Sequence, residues 1–311
     1  MKRLALFLGT LLVLNAVAPA VQAQEIVDEA LQVFTTRTER LEYLHSAELR
    51  GLSNYSVLRQ RYLGGDLRDL EKSLAALGID EGDVDELVLG WDAAIAGKDS
   101  GTGGLYGLAG GHFRGEEIAK RAVEQRVEPT QVGDAEAYCP GSQQGTTCIV
   151  LFDDTRGAFG SLNQLSEMLA ARAGSGQGLI SNNSFADLVN GARPDAPIWG
   201  HAESSAAAEW MRASIPGQDS MQMNWSRLLS GVDSLAYAIK PGEKVHLQMT
   251  FSCKSQAAAA DLRLLLDGLR LVEKMAWLGK NPKAPNPFEN VELDSSGDSV
   301  ELQLDTPAPT T

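Results

Sequence analysis

The stretch Cys148 to Gly174, CIVLFDDTRGAFGSLNQLSEMLAARAG, constrains the fold of this chain more than any other. Residues 148–152 form a continuous apolar run rich in β-formers and stopped by Asp153-Asp154, which predicts a buried strand. Asp153 to Gly157 is turn chemistry, because short polar side chains bond their own backbone and glycine accepts positive φ. Residues 158–160 predict a short returning strand. Ser161 and Gln164 match a capping box, in which each side chain satisfies an orphan amide at a helix start. Leu162, Leu165, Met168 and Leu169 follow at helical spacing, and Gly174 stands where a left-handed residue closes the helix. The turn lies between two strands rather than before a helix, so it offers phosphate no cradle. The stretch reads instead as a structural hinge, pinned by a Cys139–Cys148 disulfide across the preceding loop.

The same grammar recurs along the chain. Residues 66–78 predict a helix carrying Leu67, Leu70, Leu74 and Leu77 on one face and closed by Gly78. Residues 86–91 and 105–113 predict strands, and 116–126 a helix with acids first and bases last, matching the helix dipole. Residues 235–239 and 245–252 predict a hairpin around Lys240-Pro241-Gly242-Glu243-Lys244. Ser255 caps the longest helix, through Trp277, and a last hairpin turns at Ser295-Ser296-Gly297. Residues 24–44 have helical spacing, and 47–52 suggest a first strand. Strands alternate with helices, yet many are joined by hairpins, which is the α+β pattern. The expected architecture is two ferredoxin-like repeats, antiparallel sheets with helices packed on one face. Its parts are a signal peptide (1–23), an N-terminal helix or arm (24–46), a first α+β repeat (47–174), a connector (175–196), a second repeat (197–305) and a disordered tail (306–311).

Five segments, Asp83-Val84-Asp85-Glu86-Leu87-Val88, residues 105–113, residues 152–161, Trp199-Gly200, and Cys253-Lys254-Ser255 with Ala257, carry a resemblance. Over roughly residues 47 to 305 the chain resembles uncharacterised bacterial secreted proteins built from tandem ferredoxin-like α+β repeats. That resemblance implies no activity and no catalytic residues.

The N-terminus predicts export. Lys2-Arg3, an apolar run from Leu4 to Ala18, and Val21-Gln22-Ala23 form a secretory signal cut after Ala23. Beyond it no apolar run is long enough to span a membrane, so the expected location is the periplasm or outside the cell. Cleavage removes Lys2 and Arg3 and takes the formal charge from -14 to -16. So acidic a chain, with scattered Lys and Arg, excludes nucleic acid as a partner. Export permits the Cys139–Cys148 bridge and leaves Cys253 buried and inert.

Candidate chemistry is sparse. Residues 80–86, DEGDVDE, offer oxygen ligands but lack the spacing of a calcium loop, and read as an acidic turn. The glycine-rich residues 103–111 do not end in the Gly-Lys-Ser/Thr of a phosphate loop, and read as a close-packed strand. His112, His201 and His246 fall in predicted strands without metal-ligand spacing, so no metal and no cofactor is expected. No nucleophile motif occurs. Trp199, Met221, Met223 and Trp225 concentrate aromatic and sulfur side chains in the second half, the composition of an apolar groove for a protein, peptide or lipid partner. The leading expectation is a non-enzymatic binding or interaction protein of the bacterial envelope. The alternatives are an envelope hydrolase with a site assembled from distant residues, and a scaffold subunit of a secreted complex.

Overall fold

A computed structural model describes residues 19–62, 65–92, 104–140, 147–207, 230–280 and 286–307. Residues 1–18 of the expected signal, residues 308–311 of the expected tail, and Met221, Met223 and Trp225 lie outside the described residues, whereas Thr306 and Pro307, expected in the disordered tail, end the last strand.

The described strands are β1 (Arg40–Leu44), β2 (Val84–Trp91), β3 (Leu105–Gly111), β4 (Thr130–Val132), β5 (Ala135–Tyr138), β6 (Cys148–Leu151), β7 (Arg156–Gly160), β8 (Ile198–Glu203), β9 (Val232–Lys240), β10 (Lys244–Cys253), β11 (Val291–Ser296) and β12 (Ser299–Pro307). They form one twelve-stranded sheet in the order β11-β12-β10-β9-β8-β1-β2-β3-β7-β6-β5-β4. Each of these neighbouring pairs is antiparallel. The α+β class expected from the sequence is therefore present. The sheet, however, runs unbroken across the boundary expected between two repeats, because β8 hydrogen-bonds to β1.

Helices cover both faces rather than one. On the back face lie α1 (Pro19–Val33), α6 (Leu162–Arg172) and α7 (Asn183–Gly191). Their buried side chains, including Ile26, Leu31, Leu165, Met168, Phe185 and Val189, and Phe34 just past the end of α1, pack on Tyr43, Val88, Tyr106, Leu108, Val150 and Trp199. Burying each large aliphatic or Phe side chain contributes about 1.5–3 kcal/mol, so α1 is a core element. On the front face lie α2 (Ser46–Arg50), α3 (Tyr55–Tyr62), α4 (Gly65–Ala76), α5 (Gly115–Glu124) and α8 (Gln256–Lys280). Leu70, Leu77, Ile118 and Ala122 of α4, its C-terminal turn and α5 pack on Leu89, Leu105, Ala109, Ile149 and Phe159. Ala259, Leu262 and Leu265 of α8 pack on Leu235, Met249, Phe251 and Val300. Successive side chains of a strand point to opposite faces, and β2 and β3 obey this with Val88 and Tyr106 behind, Leu89 and Leu105 in front. A sheet covered on both sides explains why β3 is buried along its whole length. Tyr106 shows what that burial does: its phenol is pushed up to about 12, chiefly by desolvation.

The hairpins β6–β7 and β9–β10 run the same way in the sheet, yet α6 follows onto the back and α8 onto the front. The two hairpin–helix units therefore send their helices to opposite faces. The opening stretch is otherwise as its sequence predicts: Gln164 N–H donates to Ser161 Oγ, Ser161 N–H donates to Gln164 Oε1, and Gly174 has φ +72°. Cys139 and Cys148 form a disulfide, and Cys253 is free and buried.

Two expectations near the N-terminus are corrected. Leu41 and Leu44 are not helical but belong to β1, the central strand between β2 and β8. Residues 46–50 are the helix α2, not a strand, and Arg50 Nη1 anchors it by donating to Glu81 O at 2.8 Å.

Candidate functional site

Between the front-face helices and the sheet lies a cavity of about 1030 Å³. Its floor follows from strand register. Leu87 of β2 stands opposite Leu44 of β1, Leu44 opposite Ile198 of β8, Ile198 opposite Ile239 of β9, Ile239 opposite Leu247 of β10, and Leu247 opposite Leu304 of β12. One straight row of aliphatic side chains thus crosses six adjacent strands, and every member lines the cavity. With strands about 4.8 Å apart, the row is about 24 Å long. All six are only half-buried. The roof is made by Leu49 of α2, Tyr55 and Leu58 of α3, and Leu67, Leu70 and Leu74 of α4. An aliphatic floor and roof that do not close on each other leave apolar surface in contact with water, the condition that favours an apolar occupant.

The cavity is bounded on one side by a buried polar cluster. Glu42 and Tyr237 belong to the adjacent register row, separated by Gly200. A Cβ on Gly200 would stand 2.6 Å from the Tyr237 hydroxyl, so only glycine lets the phenol lie across β8 to reach Glu42. Tyr237 Oη donates to Glu42 Oε2, and Arg40 Nη2 donates to the same oxygen at 2.7 Å. The Arg40 guanidinium also lies 4.0 Å over the Trp91 ring. Burial, then the Glu42 charge, drives the Tyr237 phenol well above its ordinary pKa. Burial opposes the Arg40 charge, but Glu42 and Tyr237 outweigh it and its pKa rises. These interactions keep Arg40 charged and Tyr237 neutral at the edge of the groove, with only Arg40 Nε left without a hydrogen-bond partner in the cluster.

The mouth is charged. Arg59 of α3 pairs with Glu71 of α4 and lies 3.3 Å from Glu81, and Tyr55 donates to Glu81. The acidic residues 80–86 are thus not a metal loop: Glu81 answers Arg59, Asp85 answers Arg50 at 3.1 Å, and Asp83 answers Arg114 at 3.4 Å. No group of residues able to hold a metal occurs among the described residues.

The histidines do not converge. His112 is exposed beside Asp85 at 3.5 Å, and His246 faces Asp305 at 2.5 Å. His201 is buried on the back face, its Nε2 2.7 Å from the Ala192 carbonyl and its Nδ1 without a hydrogen-bond partner. Burial depresses its pKa, with Arg193 adding to the effect against the Ala192 carbonyl. Trp199 does not line the groove. It points to the back face, is 4% exposed, and stacks on Tyr43 at 5.5 Å. Its neighbour Ile198, one residue away and pointing the other way, is the groove residue. The sequence signal for the groove was the alternation of apolar residues in β9, β10 and β12, which marks a buried face but not the part of it left uncovered.

No family model matches the chain, and no curated protein matches it. Among solved structures, crystal form I of TP0453 aligns with a TM-score of 0.53 and 7% identity, over 89% of this chain and 93% of that one. The fold of this chain is similar to that of TP0453. Crystal form IV of TP0453 aligns with a TM-score of 0.49 and 9% identity, over 89% of this chain and 92% of that one. Among the described residues no helix is long and apolar enough to cross a membrane.

Proposed function

We propose that this chain is an exported, non-enzymatic envelope protein that binds an amphiphile, with an aliphatic chain held in the front-face groove. The observation that carries this reading is the register row Leu87–Leu44–Ile198–Ile239–Leu247–Leu304, half-buried beneath a cavity of about 1030 Å³. Half of a bilayer hydrocarbon core, the span of one lipid tail, is about 15 Å, so a floor of about 24 Å accepts an extended acyl chain. At about 0.8 kcal/mol per buried methylene, such a chain supplies micromolar or tighter affinity. Export rests on the N-terminal sequence and on the disulfide, a bond of oxidising compartments. The test is titration of delipidated protein with a fluorescent fatty acid, followed by displacement with unlabelled chains of increasing length. Saturable binding that tightens with chain length and is lost in Ile198→Asp supports the reading. Wild-type protein that binds no alkyl probe sinks it.

A second reading, an interaction module within a larger envelope assembly, has its own support in α8. Leu264, Leu271, Met275 and Leu278 form a stripe along the side of that helix away from the sheet, each between 47% and 72% exposed. Sedimentation of wild-type and Leu271→Ser/Met275→Ser protein tests it. A mass that stays monomeric in both, in the presence of envelope extract, refutes it.

A further inference from the structure

Beside the apolar groove lies a smaller cavity of about 340 Å³, lined by Tyr55, Ser56, Arg59, Gln60, Arg68 and Glu81. Tyr55, Arg59, Arg68 and Glu81 line the large groove as well, so the two spaces adjoin at those side chains. One is aliphatic and the other polar, which is the division of an amphiphile into tail and head. The polar space carries both signs of charge: guanidinium groups on Arg59 and Arg68 and the Glu81 carboxylate, while Glu71, which lines the adjoining groove, pairs with the same Arg59.

We propose that the groove binds a zwitterionic phospholipid: its acyl chain on the aliphatic row, its phosphate on Arg59 and Arg68, its ammonium on Glu81 and Glu71. This rests on the groove reading above and goes further by naming the head group. Charge complementarity decides the class. A purely anionic head would meet Glu71 and Glu81 on a chain whose formal charge is -14, and a purely cationic head would meet the two arginines. A phosphate joined to an ammonium matches both. Guanidinium suits the phosphate because its planar fork donates two parallel hydrogen bonds. The existing contacts do not oppose the exchange. Arg68 is already engaged, donating to the Gln60 carbonyl at 2.8 Å, but at an exposed position, where such a contact exchanges readily with solvent or ligand. Arg59, Glu71 and Glu81 have side chains 31–35% exposed, and ion pairs open to water contribute little. A ligand that replaces them with its own charges loses almost nothing.

The experiment compares three probes of equal chain length below their micelle concentrations: lysophosphatidylethanolamine, lysophosphatidylglycerol and an uncharged monoacylglycerol. Each is titrated calorimetrically into delipidated full-length protein. The expected result is tightest binding of lysophosphatidylethanolamine, by about tenfold or more over both others. In Arg59→Gln/Arg68→Gln its affinity falls to that of the monoacylglycerol while the circular dichroism spectrum stays unchanged. Should that double variant fail to fold, Arg68→Gln alone, at an exposed position, is expected to lose part of the preference. Equal affinity for the three probes overturns the head-group assignment and leaves the groove standing. Tightest binding of lysophosphatidylglycerol overturns it in favour of simple anion recognition. Failure of all three to bind overturns both the assignment and the groove.

Discussion

Ile198→Trp separates an open binding groove from a poorly filled core. Ile198 sits near the middle of the aliphatic row, between Leu44 and Ile239, with its side chain toward the cavity. An indole there denies the ligand about four methylene positions, at about 0.8 kcal/mol each, or about 3 kcal/mol in all. That corresponds to about two orders of magnitude in Kd. The fold has room for the larger side chain, because a cavity of about 1030 Å³ lies over the site. Stability is therefore expected to change by less than the roughly 1–3 kcal/mol that overpacking costs a filled core. The assay is fluorescent fatty-acid titration beside urea denaturation of the same preparations. Lost binding with an unchanged denaturation midpoint is expected. A variant destabilised by 2–3 kcal/mol that still binds the probe as wild type would refute the reasoning, since the space would then be closed in solution and the ligand held elsewhere.

Other perturbations test the supports of the site. Tyr237→Phe leaves Glu42 with Arg40 but without the phenol hydrogen bond, and is expected to destabilise by about 1–3 kcal/mol in urea denaturation; no change would mean that water already satisfies Glu42. Cys139→Ser/Cys148→Ser opens a loop of sequence separation 9, and chain entropy sets the loss near 3 kcal/mol, read as a lower thermal midpoint that reducing agent reproduces in wild type. His201 titrates below its ordinary value of 6.5 because it is buried. The unfolded chain then binds the proton first, so the stability held by the neutral ring is complete above pH 6.5 and is lost as pH falls through the lower folded pKa. His201→Gln is expected to flatten that part of the stability–pH curve, and an unchanged curve would assign the acid sensitivity to the carboxylates.

Legibility in the sequence followed the range of the interactions. The Ser161–Gln164 box, Gly78 and Gly174 at helix ends, and the hairpins at residues 240–244 and 295–297 were readable because each is settled within a few residues. β1 was not. Its five residues carry Leu41 and Leu44 three apart, a spacing that helix and strand both allow, and only the flanking ladders of β2 and β8 make it a strand. α2 was misread for the converse reason. It is a short helix held by Arg50 reaching Glu81 and Val84, whose carbonyls are distant in sequence. Trp199 attracted attention as a large aromatic in a strand, but a large aromatic is as well suited to a core as to a ligand.

By itself the sequence determined the α+β class, the hairpins, the disulfide pair, the buried Cys253 and the lack of any local catalytic motif. These depend on capping, turn geometry and alternation, which act over one turn or one strand. Tertiary structure alone decided that one sheet spans the chain, that helices cover both its faces, and that the groove lies opposite Trp199. The groove exists because six strands, drawn from residues 40 to 307, bring one aliphatic residue each to a common register while the helices above stop short of covering them. A strand's own alternation shows which side chains face inward, but not which neighbours they meet or whether anything packs on top.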